Sequence, residues 1–446
     1  MTKKFLPYDI NQQILLPPNM RDWIPESHLA HFILDVVASL DLSAIYNVYN
    51  QKDSRGRLAF NPAMMVSLLV YGYCVGKFSS RKLEKATHDD VPFRVLSGDQ
   101  HPDHDSIAAF RKQHLAALGG LFVQVLQLCQ KAGLVKLGHI SIDGSKIQAN
   151  ASKHKAMSYA RMNEAEQKLN QEIMELLQKA QDIDFKEDAE YGKGVRGNEL
   201  PAELARRESR LAKIKKAKAE LEAEAEQARA KAEAERPDKS DSGPAVPAPK
   251  AQRNFTDSES RIMPDSSHKG SFVQGYNVQI AVDDNAQIII ATNTTQQAND
   301  KQQLVPVAEK VIENCGRLAD VTSADSGYFS EAAVNNSTLR PTNLLVPPGR
   351  EKKTVTEKAQ PNEKSAPVKI SATTAMRTKL SNPDNSDLYR MRKAIVEPVF
   401  GQIKEIRGFR RFSMRGFVSA GHEFDFVAAT HNLLKLFRSG TSPCAA

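Results

Sequence analysis

The chain is 446 residues long, 41% apolar and 26% charged, with a formal net charge of +8. That length suits two or three domains with a sizeable buried core. Its four cysteines, Cys74, Cys129, Cys315 and Cys444, are far apart and form no CxxC, which excludes an obvious zinc site and a disulfide framework. A reducing, cytoplasmic setting is expected. The N-terminal MTKKFLPYDINQQILLPP has no apolar signal core, and the longest apolar run, 63–76, is too short to span a bilayer, so no membrane partner is expected. Charge is uneven. Residues 350–446 hold 18 Lys and Arg against 9 Asp and Glu, which accounts for the whole imbalance. Such an excess fits a polyanionic partner, nucleic acid first, or a plain solvated basic surface.

Residues 1–135 read as a helical domain. Leu29, Phe32, Ile33, Val36, Val37 and Leu40 recur at helical spacing behind Ser27, a predicted N-cap. Asn61-Pro62 starts a second helix; others start near Ser79 and Asp105, and LGGLFVQVLQLCQKAG ends at Gly133. Over 138–147 the period changes, and Ile140, Ile142 and Ile147 predict a buried strand. Residues 155–236, rich in Ala, Glu, Lys, Arg and Leu, predict two helices, about 158–182 and 200–236. Thin apolar stripes on both suit an antiparallel hairpin or coiled coil, serving as an arm or dimer contact or standing as a solvated pair. The stretch 237–250 is a Pro-rich linker. Strands are predicted at 276–282 and 288–292, turning at Asp283-Asp284-Asn285. A helix follows over 300–314, then a strand ending at Asp325, a short helix capped by Ser330, and a strand at 344–346. Residues 350–383 are polar and Lys-rich, a predicted loop, and a last helix starts near Ser386. The order predicts an α/β fold whose catalytic part is a mixed sheet flanked by helices, with sites at strand ends.

Three acids stand out. Asp143 ends HISIDG, Asp325 ends VTSADSG, and Glu397 lies in YRMRKAIVEPVFGQIKEIRGFRRF. Oxygen donors from three segments can hold a pair of divalent cations, the equipment for phosphodiester chemistry. Each Asp equally suits a simple turn, and Glu397, near Lys393 and Lys404, equally suits an exposed salt-bridged helix. Arg407, Arg410, Arg411 and Arg415 alternate with Phe409 and Phe412. The arginines suit phosphate, and the rings suit core anchoring more than base stacking.

Together these segments resemble the DDE transposases of bacterial insertion sequences, the IS-eleven-eighty-two-type group. The matching elements run in order through LLPPNMRDWIPESHLAHFILDVV, GRLAFNPAMMVSLLVYGYCVGKFSSRKLEKA, HPDHDSIAAFRKQH, GLVKLGHISIDGSKIQANASKHK, GYNVQIAVDD, TSADSGYFS and IVEPVFGQIKEIRGFRRFSMRG. The resemblance implies an RNase H-like catalytic domain over 136–154 and 251–437. It also implies an N-terminal helical domain that binds DNA ends, and Asp143, Asp325 and Glu397 as catalytic and metal-holding residues. Glu397 and Lys404 keep the six-residue gap of a tyrosine–arginine–glutamate–lysine signature, while Tyr389 and Arg392 sit one residue too far upstream. Lys404, Lys393, Arg392, Arg407, Arg410 and Arg411 are the expected DNA contacts. The implied cofactors are two Mg²⁺, with Mn²⁺ as substitute. The implied partners are double-stranded DNA, both terminal inverted repeats and target, and a second copy in a synaptic homodimer at the bacterial nucleoid. The expected reaction is metal-dependent strand cleavage and strand transfer; the alternative is a catalytically silent DNA-binding repressor derived from such an enzyme. Asp99, His101, Asp103, His104 and Asp105 then read as a loop and N-cap rather than a metal cluster.

Overall fold

The computed structural model describes residues 19–50, 58–191, 202–235, 245–265, 270–349 and 371–441. The N-terminal 18 residues, residues 192–201 at the junction of the two long predicted helices, the linker up to 244 and the loop over 350–370 lie outside the described residues. Two compact units form: residues 1–136, 405–408 and 425–446 in one, 137–404 and 409–424 in the other.

The first unit contains α1 (Leu29–Ser39), α2 (Ser43–Asn50), α3 (Pro62–Cys74), α4 (Ser80–Asp89), α5 (Val91–Ser97), α6 (His104–Gln113) and α7 (Leu115–Lys131). The cap of α1 is His28 rather than Ser27: its Nδ1 accepts from the Ala30 N–H at 3.1 Å. Asn61 caps α3 through the Ala63 and Met64 N–H groups, with Pro62 in the first turn where its missing N–H costs nothing. From Met65 to Cys74 α3 is buried on every side, as a helix apolar all round must be. Asp103 caps α6 through the Ser106 N–H at 2.6 Å. Asp99 pairs with Arg94, and His104 with Glu84, so this stretch is spent on local structure. Gly76, at φ +77°, must be glycine, because a Cβ there would lie 2.6 Å from the Arg407 carbonyl oxygen.

The second unit is built on a sheet. Its strands are β1 (His139–Gln148), β2 (Ala156–Ser158), β3 (Gln252–Asn254), β4 (Arg261–Pro264), β5 (Phe272–Asp283), β6 (Ile289–Thr295), β7 (Val321–Ala324) and β8 (Asn343–Leu345). The main sheet runs β4-β5-β1-β7-β8, with β6 sharing an edge of β5 with β4; β2 and β3 form a separate pair. β5 pairs antiparallel with β1 and β6, while β1–β7 and β7–β8 are parallel. The helices are α8 (Tyr159–Tyr191), α9 (Ala202–Glu235), α10 (Leu304–Cys315), α11 (Glu331–Val334), α12 (Ala372–Ser381), α13 (Pro383–Gly401) and α14 (Phe417–Arg438), whose second half belongs to the first unit.

α8 and α9 form a hairpin around Met162, Leu169, Leu211, Ile214, Ala217 and Leu221. Where the sequence predicts a loop through 383, α12 occupies 372–381. Ser371 caps it by accepting from the Thr374 N–H, and Met376 is its buried anchor. Local helix formers with one apolar foothold outweigh the polar average there.

Two glycines give opposite expectations. A Cβ on Gly275 would lie 2.3 Å from the Ile147 carbonyl oxygen across the β1–β5 pair, whereas one on Gly120 in α7 meets nothing within 4 Å. Gly275→Ala is expected to destabilise by about 1–3 kcal/mol. Gly120→Ala should stabilise by up to about 1 kcal/mol. Denaturant melts of both variants check this, and equal effects would contradict the backbone contact.

Candidate active site

The site begins with a register. β1 and β7 run parallel with Ile142 opposite Ala324. The residue after each is an aspartate: Asp143 stays within β1, opposite Ile280 of β5, and Asp325 follows directly on the end of β7, so the two acids stand side by side. Asp325 then caps a short 3-10 turn, Ser326–Tyr328, its carboxylate accepting from the Ser326 N–H at 2.6 Å. Asp325 is exposed. The Asp143 side chain is 24% exposed and accepts from the Gly144 N–H at 2.8 Å.

α13 covers this face of β1. Arg392, Ile395, Val396, Val399 and Phe400 are its buried stripe. Arg392 reaches the Asp143 carboxylate at 3.4 Å, and Tyr389, half-buried, senses both Arg392 and the two aspartates. Burial pushes the Asp143 carboxyl up to about 6. The Gly144 N–H and Arg392 oppose that push, while the negative charges of Asp325 and Asp300 add to it. The Arg392 charge therefore offsets burial only in part.

Glu397 is placed differently. It lies on α13 five residues past Arg392, off the buried stripe and exposed. Among the described residues, no three Asp, Glu, His or Cys side chains stand close enough together to hold a metal. The structure thus brings Asp143 and Asp325 together and leaves Glu397 outside that pair. Its helix has a weak point here. Pro398 lacks the N–H that would bond Ala394, and the Gln287 side chain donates to that orphaned carbonyl at 3.0 Å.

The expected phosphate contacts also separate. Lys393 is exposed on α13. A π-turn at Gln402–Ile406 follows α13, and Lys404 within it donates to the Ser145 hydroxyl at 2.8 Å. Exposed Arg410 and Arg411 are held by backbone, their Nε atoms donating to the carbonyls of Lys404 and Ala149. Their loop is stitched to β1: Gln148 donates to the Arg410 carbonyl, and Phe412 donates back to that of Gln148. Glu423, fully buried, accepts from the Ser413 and Met414 N–H groups and the Ser413 hydroxyl. Phe409 and Phe412 are core residues. Arg407 differs from the phosphate-contact expectation. It is buried in the first unit, its guanidinium donating to the Thr430 hydroxyl at 2.8 Å and to the Val427 carbonyl.

Sequence reasoning missed Asp300, whose charge acts on the site, and the Arg392–Asp143 pair. A signal was present in YNVQIAV, where Asn277 and Gln279 stand two apart in an otherwise apolar strand. Both are buried, and both donate to Asp300, at 2.8 and 2.7 Å.

The donor set fits a hard divalent cation: two adjacent carboxylates, one mostly buried and incompletely neutralised, offering only oxygen.

Two family models match the chain. One, described as Transposase domain (DUF772), covers residues 18–113; the other, Transposase DDE domain, covers residues 245–433. The second includes Asp325 and Glu397, while Asp143 lies upstream of it. Together the two matches indicate a DDE-type transposase family. No curated protein and no solved structure matches the chain. Among the described residues, no single helix is long and apolar enough to cross a membrane.

A carboxyl raised to about 6 weakens the fold by roughly 3 kcal/mol at neutral pH, a cost relieved as pH falls through that value. In chelator-treated protein, Asp143→Asn is therefore expected to melt higher than wild type at pH 8. The gap should narrow to about half by pH 5 and close only near pH 4, the ordinary carboxylate range. Lower melting of the variant at both pH values would show that the Arg392 pairing outweighs burial.

Proposed function

We propose that the protein is a DNA transposase that cleaves DNA at the terminal inverted repeats of an insertion sequence and joins the freed end to a target. The observation that carries this reading is the pairing of Ile142 with Ala324, which sets Asp143 and Asp325 next to each other one residue further on, in a chain matched by two transposase family models. The order β6-β5-β1-β7-β8, antiparallel through β1 and parallel beyond it, supports an RNase H-like catalytic fold. The segment resemblance supports the IS-eleven-eighty-two-type group.

In this reading Asp143 and Asp325 hold a divalent cation, with Glu397 completing the set. Mg²⁺, or Mn²⁺ in its place, supplies when bound the Lewis acidity that activates water and stabilises the leaving oxygen. Water attacks the phosphodiester at the element's end and releases a 3′-OH, and that hydroxyl then displaces the 3′ oxygen of a target phosphodiester. No covalent protein–DNA bond is required. Arg392 pairs with the Asp143 carboxylate at 3.4 Å and orients it from α13. Lys404 next to Ser145, with Lys393, Arg410 and Arg411 exposed nearby in sequence, supplies phosphate contacts on this unit. The helical domain over 1–135 binds the terminal repeats, the α8–α9 hairpin serves as an arm or dimer contact, and a homodimer at the nucleoid carries the synaptic complex.

The direct test uses a DNA segment carrying the coding region and its flanking repeats. Asp143→Asn, Asp325→Asn and Glu397→Gln are each expected to slow Mg²⁺-dependent cleavage by roughly 100-fold or more while keeping DNA affinity. Full activity in any one removes that residue from the site; wild-type binding without cleavage in Mg²⁺ or Mn²⁺ would mean a silent repressor. Affinity for the repeats is also expected to fall roughly 10³-fold between ~50 and ~200 mM salt. A flat salt response in a filter-binding titration would rule out a phosphate-dominated interface.

A further inference from the structure

We infer that Gln279 is a positioning residue that fixes the turn carrying Asp325, acting through Tyr328; the inference rests on the proposed Asp143–Asp325 cation site. Gln279 stands opposite Gly144 in the antiparallel β1–β5 register. Side chains alternate along a strand, so Gln279 lies on the face of the sheet away from Asp143. Its amide occupies the space a Gly144 side chain would need: a Cβ on Gly144 would lie 2.4 Å from the Gln279 Nε2. A side chain at position 144 would have to displace that amide.

Gln279 is fully buried, and both ends of its amide are engaged. Its Oε1 accepts from the Tyr328 hydroxyl, and its Nε2 donates to the Asp300 Oδ1 at 2.7 Å. Asn277, also buried, donates to the same Asp300 oxygen at 2.8 Å and to the Gln297 carbonyl at 3.1 Å. The Asp300 carboxylate thus orients the Gln279 amide, leaving its oxygen for Tyr328. Tyr328 is 1% exposed and closes the 3-10 turn by donating its N–H to the Asp325 carbonyl at 3.0 Å. One turn of backbone therefore links the phenol to Asp325.

The physical need is plain. β7 ends at Ala324, so no strand pairing holds Asp325, and its charge repels that of Asp143. Something other than the sheet must keep the two acids adjacent before a cation arrives. The Tyr328–Gln279 bond does this from the opposite face, through the gap that Gly144 leaves.

The test reads Mn²⁺ alone, titrated into the full-length protein without DNA and followed by electron paramagnetic resonance of the free ion, alongside thermal melting. Tyr328→Phe keeps the ring and removes only the hydroxyl. It is expected to weaken Mn²⁺ binding about 10-fold. Gln279→Leu should do the same, and the melting loss of either, from the buried partner it leaves unpaired, should be no larger than that of Thr322→Val. Thr322→Val, which breaks a buried hydroxyl pair with Thr342 on the same strand β7, controls for a merely structural loss and should leave Mn²⁺ affinity unchanged. If Tyr328→Phe fails to fold, Gly144→Ala carries the same expectation, since it displaces the Gln279 amide. Asp143→Asn separates the two ideas. If it abolishes Mn²⁺ binding while Tyr328→Phe and Gln279→Leu bind as wild type, the positioning role is overturned and the cation site stands. If Asp143→Asn binds Mn²⁺ as wild type, the site itself falls. Equal weakening by Thr322→Val would also overturn the specific role of Gln279.

Discussion

The parallel pairing of β1 with β7 is the constraint on which the candidate site depends. Side chains alternate along a strand, so a slip of one residue would send Asp143 and Asp325 to opposite faces of the sheet. Four paired positions on β7 are a weak hold by themselves. β1 is pinned more firmly on its other side, where nine positions pair with β5 and the Ile147 carbonyl lies against Gly275. The long antiparallel pair sets the frame, and the short parallel strand inherits it. α13 then settles on the Asp143 face through an apolar stripe, with Arg392 as the one charged member of that buried surface.

The electrostatics of the unit divide along the same line. Where charge is structural, it is satisfied: Glu423 is fully buried yet meets two backbone N–H groups and a hydroxyl, which locks the Arg410–Arg415 loop onto the end of β1. Where charge belongs to the candidate site, it is under-compensated: Asp143 has one cation at 3.4 Å and other negative charges around it. A buried carboxylate of that kind weakens a fold unless something positive joins it. The difference between the two acids is what separates a brace from a binding group.

Much of the architecture was legible in the chain. The changes of period marked β1, the β5–β6 hairpin, α10 and the long helical pair, because each buries one face at its own spacing. Asp143 and Asp325 stood out because each ends an apolar run. What one sequence does not carry is pairing between distant segments. Nothing local says that Ile142 lies beside Ala324, that Arg392 turns inward while Lys393 turns out, or that Arg407 belongs to a different unit from Arg410. α12 was hidden because its single anchor, Met376, is too little to establish a period. The exposure of Glu397 was masked by its lysine neighbours, which suggest a charged face without saying which way that face looks.

The proline next to that glutamate has one more consequence. Pro398 removes a rung from α13, and the vacant carbonyl is taken by Gln287 from the β5–β6 turn. The helix thus lacks one rung beside Glu397, and a side-chain bond from a neighbouring hairpin takes its place. Val399 and Phe400 beyond the missing rung stay in the buried stripe with Ile395 and Val396 before it, so packing on both sides of Pro398 fixes Glu397 on the outer face of the helix.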